Sequence, residues 1–345
     1  MQAQPAFLII LAAQKTKRRK DIMLIPILML ALGFVLLIKG GDWFVDGASG
    51  IARRFHLPEI LIGATVVSIG TTLPEVMVSA GAALQGSGSI AYGNAIGSII
   101  CNTALIAALT VSIKPGRADR KSMLIPVAFF FASALIYCFI AYASGRFSRL
   151  SGIILLAIFI GYMITTVLRM KKNSGNVLVE ETEEQSGDGN LLKDIFLLIL
   201  GAVLIAFGAD FLVDNAIIIA KECGVSEKVI GLTIVALGTS LPELVTAITS
   251  LIKGHGSLSL GNIIGANLFN LVLVSGAAIT INPFDLPVSG LISGINSSLV
   301  LDIPVMLLVM GLLTIPTLIK QKLSRWQGIL LLGIYTIFCI LQFAI

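Results

Sequence analysis

One hexapeptide in this chain places a proline and a glutamate in the middle of a long apolar run, and the arrangement occurs twice. The first copy, GTTLPE at residues 70–75, interrupts the apolar run 60–84, and the second copy, GTSLPE at residues 238–243, interrupts the run 229–252. A charged side chain at the centre of a spanning helix costs about 2.5 to 3.5 kcal/mol on insertion scales, so such a residue is a candidate for function. The sequence therefore predicts two spanning helices that each carry a functional carboxylate.

The composition indicates a membrane protein that crosses the bilayer many times. Hydrophobic residues make up 56% of the 345 residues and charged residues only 12%. The basic residues are scattered over short loops, a pattern that is typical of membrane topology and argues against a nucleic-acid partner. Ten segments are predicted to span the lipid bilayer, with approximate bounds 23–51, 58–84, 90–113, 122–143, 150–168, 191–220, 229–252, 258–281, 298–319 and 326–343.

The spans carry an internal duplication. The segment DWFVD at 42–46 returns as DFLVD at 210–214, and GNAIG at 93–97 returns as GNIIG at 261–265, both with an offset of 168 residues. Five spans fit into that offset, and an odd number of crossings forces the two halves into opposite orientations, as in many secondary transporters. The predicted fold is an all-α integral membrane protein with ten transmembrane helices in two inverted five-helix repeats.

This duplication divides the chain into four predicted regions. Residues 1–22 form an N-terminal extension, 23–169 the first repeat, 170–190 a cytoplasmic linker and 191–345 the second repeat. The acidic run in the linker, EETEE at 180–184, is better explained by a solvated tether than by a cation sensor.

The basic residues also predict an orientation. With the first span starting outside, the inner loops hold fourteen Lys and Arg residues and the outer loops four, which favours a multi-pass protein of the cell membrane with both termini outside. The basic segment at 15–20 contradicts this orientation, and Met23 is an alternative start.

The hexapeptides predict a cluster of hard oxygen ligands. Each proline crowds the carbonyl four residues earlier, at Gly70 or Gly238, and a freed carbonyl inside a membrane must find a partner. Residues three and four apart share a helix face, so each glutamate has two hydroxyls beside it. Such oxygens suit Ca²⁺, Na⁺ or Mg²⁺ and are poor ligands for copper or zinc. The predicted ligands are Thr71, Thr72 and Glu75 in the first copy, and Thr239, Ser240 and Glu243 in the second.

The span after each hexapeptide carries a polar stripe. Its members are Asn94, Ser98 and Asn102 in the first half, and Asn262, Ala266 and Asn270 in the second. Helix packing is the favoured explanation for Asn94 and Asn262, whereas Asn102 and Asn270 are predicted to face the glutamates. Two carboxylates give the site a charge of −2, which one Ca²⁺ or two Na⁺ would neutralise. Mg²⁺ fits less well because it dehydrates reluctantly.

These paired motifs and the inverted layout resemble the cation/calcium exchanger superfamily, in particular its prokaryotic sodium/calcium exchangers. The resemblance implies that Ca²⁺ and Na⁺ compete for one group of midplane sites, and that the first and sixth spans slide across the other eight. It adds Ser98, Asn102 and the carbonyls near Ser68 and Ala236 to the predicted ligands. Two residues depart from the family pattern: Ala266 stands where a serine is usual, and Asn270 where some members have an acid.

The leading hypothesis is therefore an antiporter that exchanges Ca²⁺ for Na⁺ by alternating access. A Ca²⁺/H⁺ or K⁺-linked antiporter is the alternative within this class, and a cation channel is a weaker one because an inverted duplication suits alternating access. An intramembrane hydrolase is disfavoured because both histidines, His56 and His255, lie at loops. We expect no enzymatic activity and no cofactor, the lipid bilayer and the two ions as partners, and function as a monomer.

Overall fold

A computed structural model describes residues 4–55, 57–176, 191–223, 238–288, 291–292 and 294–344, and side chains within 23–169 and 191–342 of these ranges. The described residues form ten helices, one for each predicted span. They are α1 Gln4–Arg54, α2 Glu59–Leu84, α3 Gly88–Ile113, α4 Arg120–Ser144, α5 Arg149–Asn176, α6 Leu191–Glu222, α7 Leu241–Ile252, α8 Gly256–Ile281, α9 Ser298–Lys320 and α10 Arg325–Ala344. The predicted number of spans is confirmed, and most observed ends agree with the predicted bounds to within a few residues.

Nine of these helices are long and apolar enough to cross a membrane, while the described part of the predicted seventh span, α7, is shorter. The first nine residues of that span, 229–237, lie outside the described residues. Large apolar side chains point outward, as shown by Phe139, whose relative exposure is 74%. Polar side chains point inward, and Glu75 and Glu243 are both fully buried. This reversal of the usual soluble pattern confirms an integral membrane protein.

Contacts between the helices follow the inverted duplication. Helix α5 of the first repeat packs against the end of α8 in the second repeat. In the equivalent contact, α10 of the second repeat packs against the end of α3 in the first. Both α3 and α8 contain a π-helical segment, at Asn102–Ala107 and Asn270–Val274, and the starts of these segments differ by the same 168 residues. Two loops that are predicted to lie outside each contain a short strand, β1 Arg146–Phe147 and β2 Phe284–Asp285. The two strands form an antiparallel pair.

Helices α1 and α6 touch backbone to backbone through glycines. A Cβ atom at Gly33 would lie 2.9 Å from the carbonyl oxygen of Gly208, and one at Gly40 would lie 3.0 Å from that of Gly201. Adding the 168-residue offset to Gly33 and Gly40 gives Gly201 and Gly208, so the two contacts are related by the duplication. The glycines allow these two long helices to form a close pair.

Glycines also bring α2 and α8 together at the centre of the bundle. A Cβ atom at Gly261 would overlap the carbonyl of Ile60, and one at Gly265 would lie 2.6 Å from the Cα atom of Ala64. Such a spacing of small residues lets membrane helices approach closely. The crossing places the polar stripe of α8 beside the first hexapeptide.

Two helices extend beyond the bounds of the predicted spans. Helix α1 begins at Gln4, so the described part of the predicted extension continues the first span without a helix break. Helix α5 ends at Asn176, so the first residues of the predicted linker are helical. At the opposite end of α1, Lys253 Nζ lies 2.7 Å from Asp46 Oδ1 and ties α1 to the end of α7.

Candidate ion site

The predicted ligands of the two halves meet in the interior of the bundle. Helix α2 carries Ser68, Thr71, Thr72 and Glu75, helix α3 carries Ser98 and Asn102, helix α7 carries Glu243, and α8 carries Asn270; Ser240 lies immediately before α7. All nine side chains are buried, with relative exposures between 0% and 4%. Thr239 is half-buried, and Ala236 lies outside the described residues.

Six of these side chains have polar atoms without a protein partner. Within the described part of the chain, Thr72, Glu75, Asn102, Ser240, Glu243 and Asn270 have buried side-chain polar atoms that make no hydrogen bond, and eight of those atoms are oxygens. Buried polar groups in proteins are almost always hydrogen-bonded, because an unsatisfied one costs roughly 1 to 3 kcal/mol. Six such residues in one region therefore indicate a site that is built to bind a polar ligand.

Residues of one repeat face residues of the other across this site. The carboxylates of Glu75 and Glu243 are close enough to interact electrostatically, and the hydroxyl of Thr71 faces the carboxylate of Glu243. Thr71 also donates to Asn262 Oδ1 at 3.2 Å, which joins α2 to α8. Polar groups of the two hexapeptides thus face one another in the interior of the bundle.

Asn94 and Asn262 hold the first hexapeptide in place by different contacts. Asn94 Nδ2 donates to the carbonyl of Glu75 at 3.2 Å and to Ser79 Oγ at 2.8 Å. Asn262 instead accepts from Thr71 and from Ser68, whose Oγ lies 3.2 Å from Asn262 Oδ1. These contacts agree with the predicted packing role of both asparagines.

The prolines do not have the symmetrical effect that the sequence suggests. The Gly70 carbonyl that Pro74 crowds lies inside a continuous α-helix, which runs from Ser68 to Leu84 through Pro74. The irregular part of α2 is a π-helical segment at Gly63–Val67, immediately before Ser68 and beside the crossing with α8. In the second half, α7 begins at Leu241 with Pro242 in its first turn, where a missing N–H removes no helical hydrogen bond.

Helices α1 and α6 lie over the glycines of the hexapeptides. A Cβ atom at Gly70 would lie 3.1 Å from the ring of Phe44 on α1, and one at Gly238 would overlap Val213 on α6. A cavity of about 10 Å³ remains between Phe44, Pro74 and Pro242. This volume holds about one water molecule, so α1 and α6 close the site on this side.

The chain matches the sequence pattern of the family described as sodium/calcium exchanger protein over residues 25–168 and again over 193–344. These two matches cover most of the chain. The protein belongs to the sodium/calcium exchanger family. The resemblance seen in the hexapeptides is confirmed.

Several known proteins are similar to this exchanger over almost its whole length. The putative antiporter CaxA of Alkalimonas amylolytica is 35% identical over 90% of this chain and 96% of its own. The sodium/calcium exchanger MaX1 of Methanosarcina acetivorans is 32% identical over 92% of this chain and 98% of its own. A solved structure of the sodium-calcium exchanger NCX_Mj, soaked with Na⁺ and Ca²⁺, has a TM-score of 0.74 at 34% identity and covers 91% of this chain and 97% of that one.

The exchanger contains features that the sequence analysis missed. Asn102 and Asn270 each begin a π-helical segment, and such segments often occur at functional sites. Asp302 on α9 is a further buried acid, with a relative exposure of 7%. It lies inside the predicted span 298–319, and an acid inside a span is the signal that would have found it.

Proposed function

We propose that this protein exchanges Ca²⁺ for Na⁺ across a membrane, and that both ions use the site between Glu75 and Glu243. The observation that carries the proposal is the group of eight buried side-chain oxygens without a protein partner, contributed by both repeats. Membership of the sodium/calcium exchanger family and the similarity to NCX_Mj support the same activity.

The chemistry of the site fits these ions. Ca²⁺ takes six to eight oxygen ligands, and carboxylate, amide and hydroxyl oxygens are the types it prefers. Among the described residues, no Lys, Arg or His forms an ion pair with Glu75 or Glu243. Two ionised carboxylates without a cationic side chain would be costly in the interior, so a divalent ion or two monovalent ions stabilise them. Occupancy by one kind of ion excludes the other, which is what an antiporter requires.

The assigned ligands of this site are two carboxylates and the polar groups around them. We propose Glu75 and Glu243 as the principal ligands, with hydroxyls from Thr71, Thr72, Thr239, Ser240 and Ser98, amide oxygens from Asn102 and Asn270, and carbonyl oxygens near Ser68 and Ala236 as the others. Asn94 and Asn262 act as positioning residues because their amides bind the backbone or the hydroxyls of the first hexapeptide.

The arrangement of α1 and α6 supports alternating access. These helices cover the site over Gly70 and Gly238, and they contact each other through glycine backbones. We propose that they slide together as a pair, which would open the site first to one side of the membrane and then to the other. The remaining eight helices would hold the ligands in place during this movement.

The same proposal includes where the protein works. The excess of basic residues in the loops after α1, α3, α5, α7 and α9 supports a location in the cell membrane with both termini outside. Both repeats of one chain supply ligands, so one chain contains a complete site and functions as a monomer.

Transport of radioactive calcium tests the proposed exchange. Purified protein in vesicles loaded with Na⁺ should take up ⁴⁵Ca²⁺ when diluted into Na⁺-free buffer, and uptake should cease without the Na⁺ gradient. Two controls test the other coupling ions. Vesicles loaded with K⁺ at the pH of the outer buffer test coupling to K⁺, and K⁺-loaded vesicles with a pH gradient test coupling to H⁺. Equal uptake in Na⁺-loaded and K⁺-loaded vesicles would contradict Na⁺ coupling.

Ala266 provides a prediction about the monovalent ions. It is fully buried on α8 at the position that corresponds to Ser98, so one hydroxyl is missing from the second half. Restoring it by Ala266→Ser should lower the Na⁺ concentration that half-inhibits Ca²⁺ binding about threefold to tenfold, because a polar contact contributes about 0.5 to 1.5 kcal/mol. Ala278→Ser, at another fully buried position of α8, is the matched control. The same change in Na⁺ inhibition in both variants would contradict a ligand role at position 266.

A further inference from the structure

Asp302 is a buried carboxylate that the proposed exchange does not use. It lies at the end of a π-helical segment, Ser298–Asp302, in the first turns of α9. Within the described residues, no Lys, Arg or His forms an ion pair with it. A buried carboxylate without a cationic partner is costly, so it must either hold a proton or be balanced by a bound cation.

The groups around Asp302 are suited to a cation. Gln342 Nε2 donates to Asp302 Oδ1 at 2.5 Å, and the hydroxyls of Ser298 and Tyr92 also face the carboxylate. Ser298 donates its hydroxyl hydrogen to the carbonyl of Pro287 at 2.8 Å, which leaves its oxygen lone pairs available. The side chain of Tyr92 is buried, with a relative exposure of 4%. Its hydroxyl has no hydrogen-bond partner within the described structure.

A proline lies two residues after Asp302 in α9. Pro304 lacks an N–H, so it cannot donate a hydrogen bond within the helix. The segment thus combines a carboxylate, a hydroxyl and a proline, which are the same kinds of residue that each hexapeptide contains.

The Asp302 cluster is separate from the main site. Tyr92 lies ten residues before Asn102 on α3, and ten residues of helix correspond to about 15 Å. The cluster is therefore near the end of the bundle where α3 begins, whereas Asn102 is at the level of the glutamates. We propose that Asp302, Tyr92 and Ser298 form a second cation site that binds one monovalent alkali cation. A single carboxylate matches a single positive charge, while Ca²⁺ generally requires more acidic ligands.

Binding of ²²Na⁺ to purified protein tests this site when the main site is disabled. The double variant Glu75→Gln/Glu243→Gln should still bind one Na⁺ per chain, and adding Asp302→Asn should abolish that binding. Displacement of ²²Na⁺ by unlabelled Na⁺ or K⁺ measures the affinity for alkali cations. The proposal is overturned if the double variant binds neither ion, as expected for a protonated Asp302, or if Asp302→Asn leaves its binding unchanged.

A conservative variant keeps the test valid if Asp302→Asn does not fold. Tyr92→Phe in the double variant retains the buried ring but removes the hydroxyl, and it should weaken ²²Na⁺ binding about threefold to tenfold with an unchanged unfolding temperature. Tyr162→Phe is the matched control, because the ring of Tyr162 is also buried and its hydroxyl donates to the carbonyl of Ala64 on α2, not to the Ser298–Asp302 segment. Equal binding by the two Phe variants would contradict the site. Because the main site is disabled throughout, this result is independent of whether the protein exchanges Ca²⁺.

Discussion

Replacing either Glu75 or Glu243 with glutamine is expected to abolish Ca²⁺ binding. Each substitution keeps the size of the side chain but removes one of two negative charges in a fully buried site. Because the affinity of a calcium site depends strongly on the number of charged ligands, we expect a loss of at least about 100-fold, which corresponds to about 2.7 kcal/mol. Calcium titration of the purified variants by calorimetry measures this loss, and ⁴⁵Ca²⁺ uptake should fall to the level of empty vesicles.

The control for this prediction is a carboxylate away from the site. Asp285 is exposed and lies 3.6 Å from Arg146 in the short strand pair, so Asp285→Asn should bind Ca²⁺ as the unmodified protein does. Circular dichroism and the unfolding temperature establish that the glutamine variants are folded. If the Ca²⁺ affinity of both glutamine variants equals that of Asp285→Asn, the two glutamates are not ligands.

Gly201→Ala is expected to have the largest effect among the packing variants. A Cβ atom at this position would lie 2.7 Å from the Cα atom of Phe44 and 2.8 Å from the carbonyl oxygen of Gly40. Both atoms belong to the backbone of α1, so no side-chain rotation can relieve the overlap and the two helices must separate. Overpacking lowers the free energy of unfolding by about 1 to 3 kcal/mol. Because the overlap here is with backbone atoms, we expect a loss at the upper end of that range. We expect a lower unfolding temperature together with lower transport.

The same substitution at an open position separates packing from the general effect of alanine in a helix. A Cβ atom at Gly161 on α5 would have no neighbour within 4 Å among the described residues, so Gly161→Ala should leave the unfolding temperature unchanged or raise it. Differential scanning fluorimetry of both variants makes the comparison. Equal unfolding temperatures would show that α1 and α6 do not depend on close contact at Gly201.

The buried polar residues of the candidate site could be predicted because the physical signals are strong and local. A glutamate inside an apolar run stands out in any membrane sequence, and the helical period brings Thr71 and Thr72 near the face of Glu75. The constant offset between the two copies of each motif then predicts that the halves are inverted. None of these steps requires knowledge of how the helices pack.

The local backbone of the hexapeptides could not be predicted because packing decides it. Two nearly identical sequences have different structures, since α2 is helical through Pro74 whereas α7 begins only at Leu241. The π-helical segment Gly63–Val67 lies where α2 crosses α8, which is a contact between distant parts of the chain. Asn94 and Asn262 likewise occupy equivalent sequence positions but bind different partners.

Asp302 was missed for another reason. The search for functional acids relied on duplication, and the residue 168 positions before Asp302 is Ala134. A group that occurs in only one repeat does not appear in such a search. Its place inside the predicted span 298–319 was the available sequence signal, and the packed structure adds that the carboxylate is buried.

An experimental structure with Ca²⁺ bound tests the central claim most directly. The map should show one strong peak between the repeats that lies about 2.3 to 2.6 Å from carboxylate oxygens of both Glu75 and Glu243, since these are the usual Ca²⁺–oxygen distances. Soaking the same crystals in high Na⁺ should remove that peak. A calcium ion bound to only one of the two glutamates, or bound elsewhere while both carboxylates remain without it, would contradict a shared site.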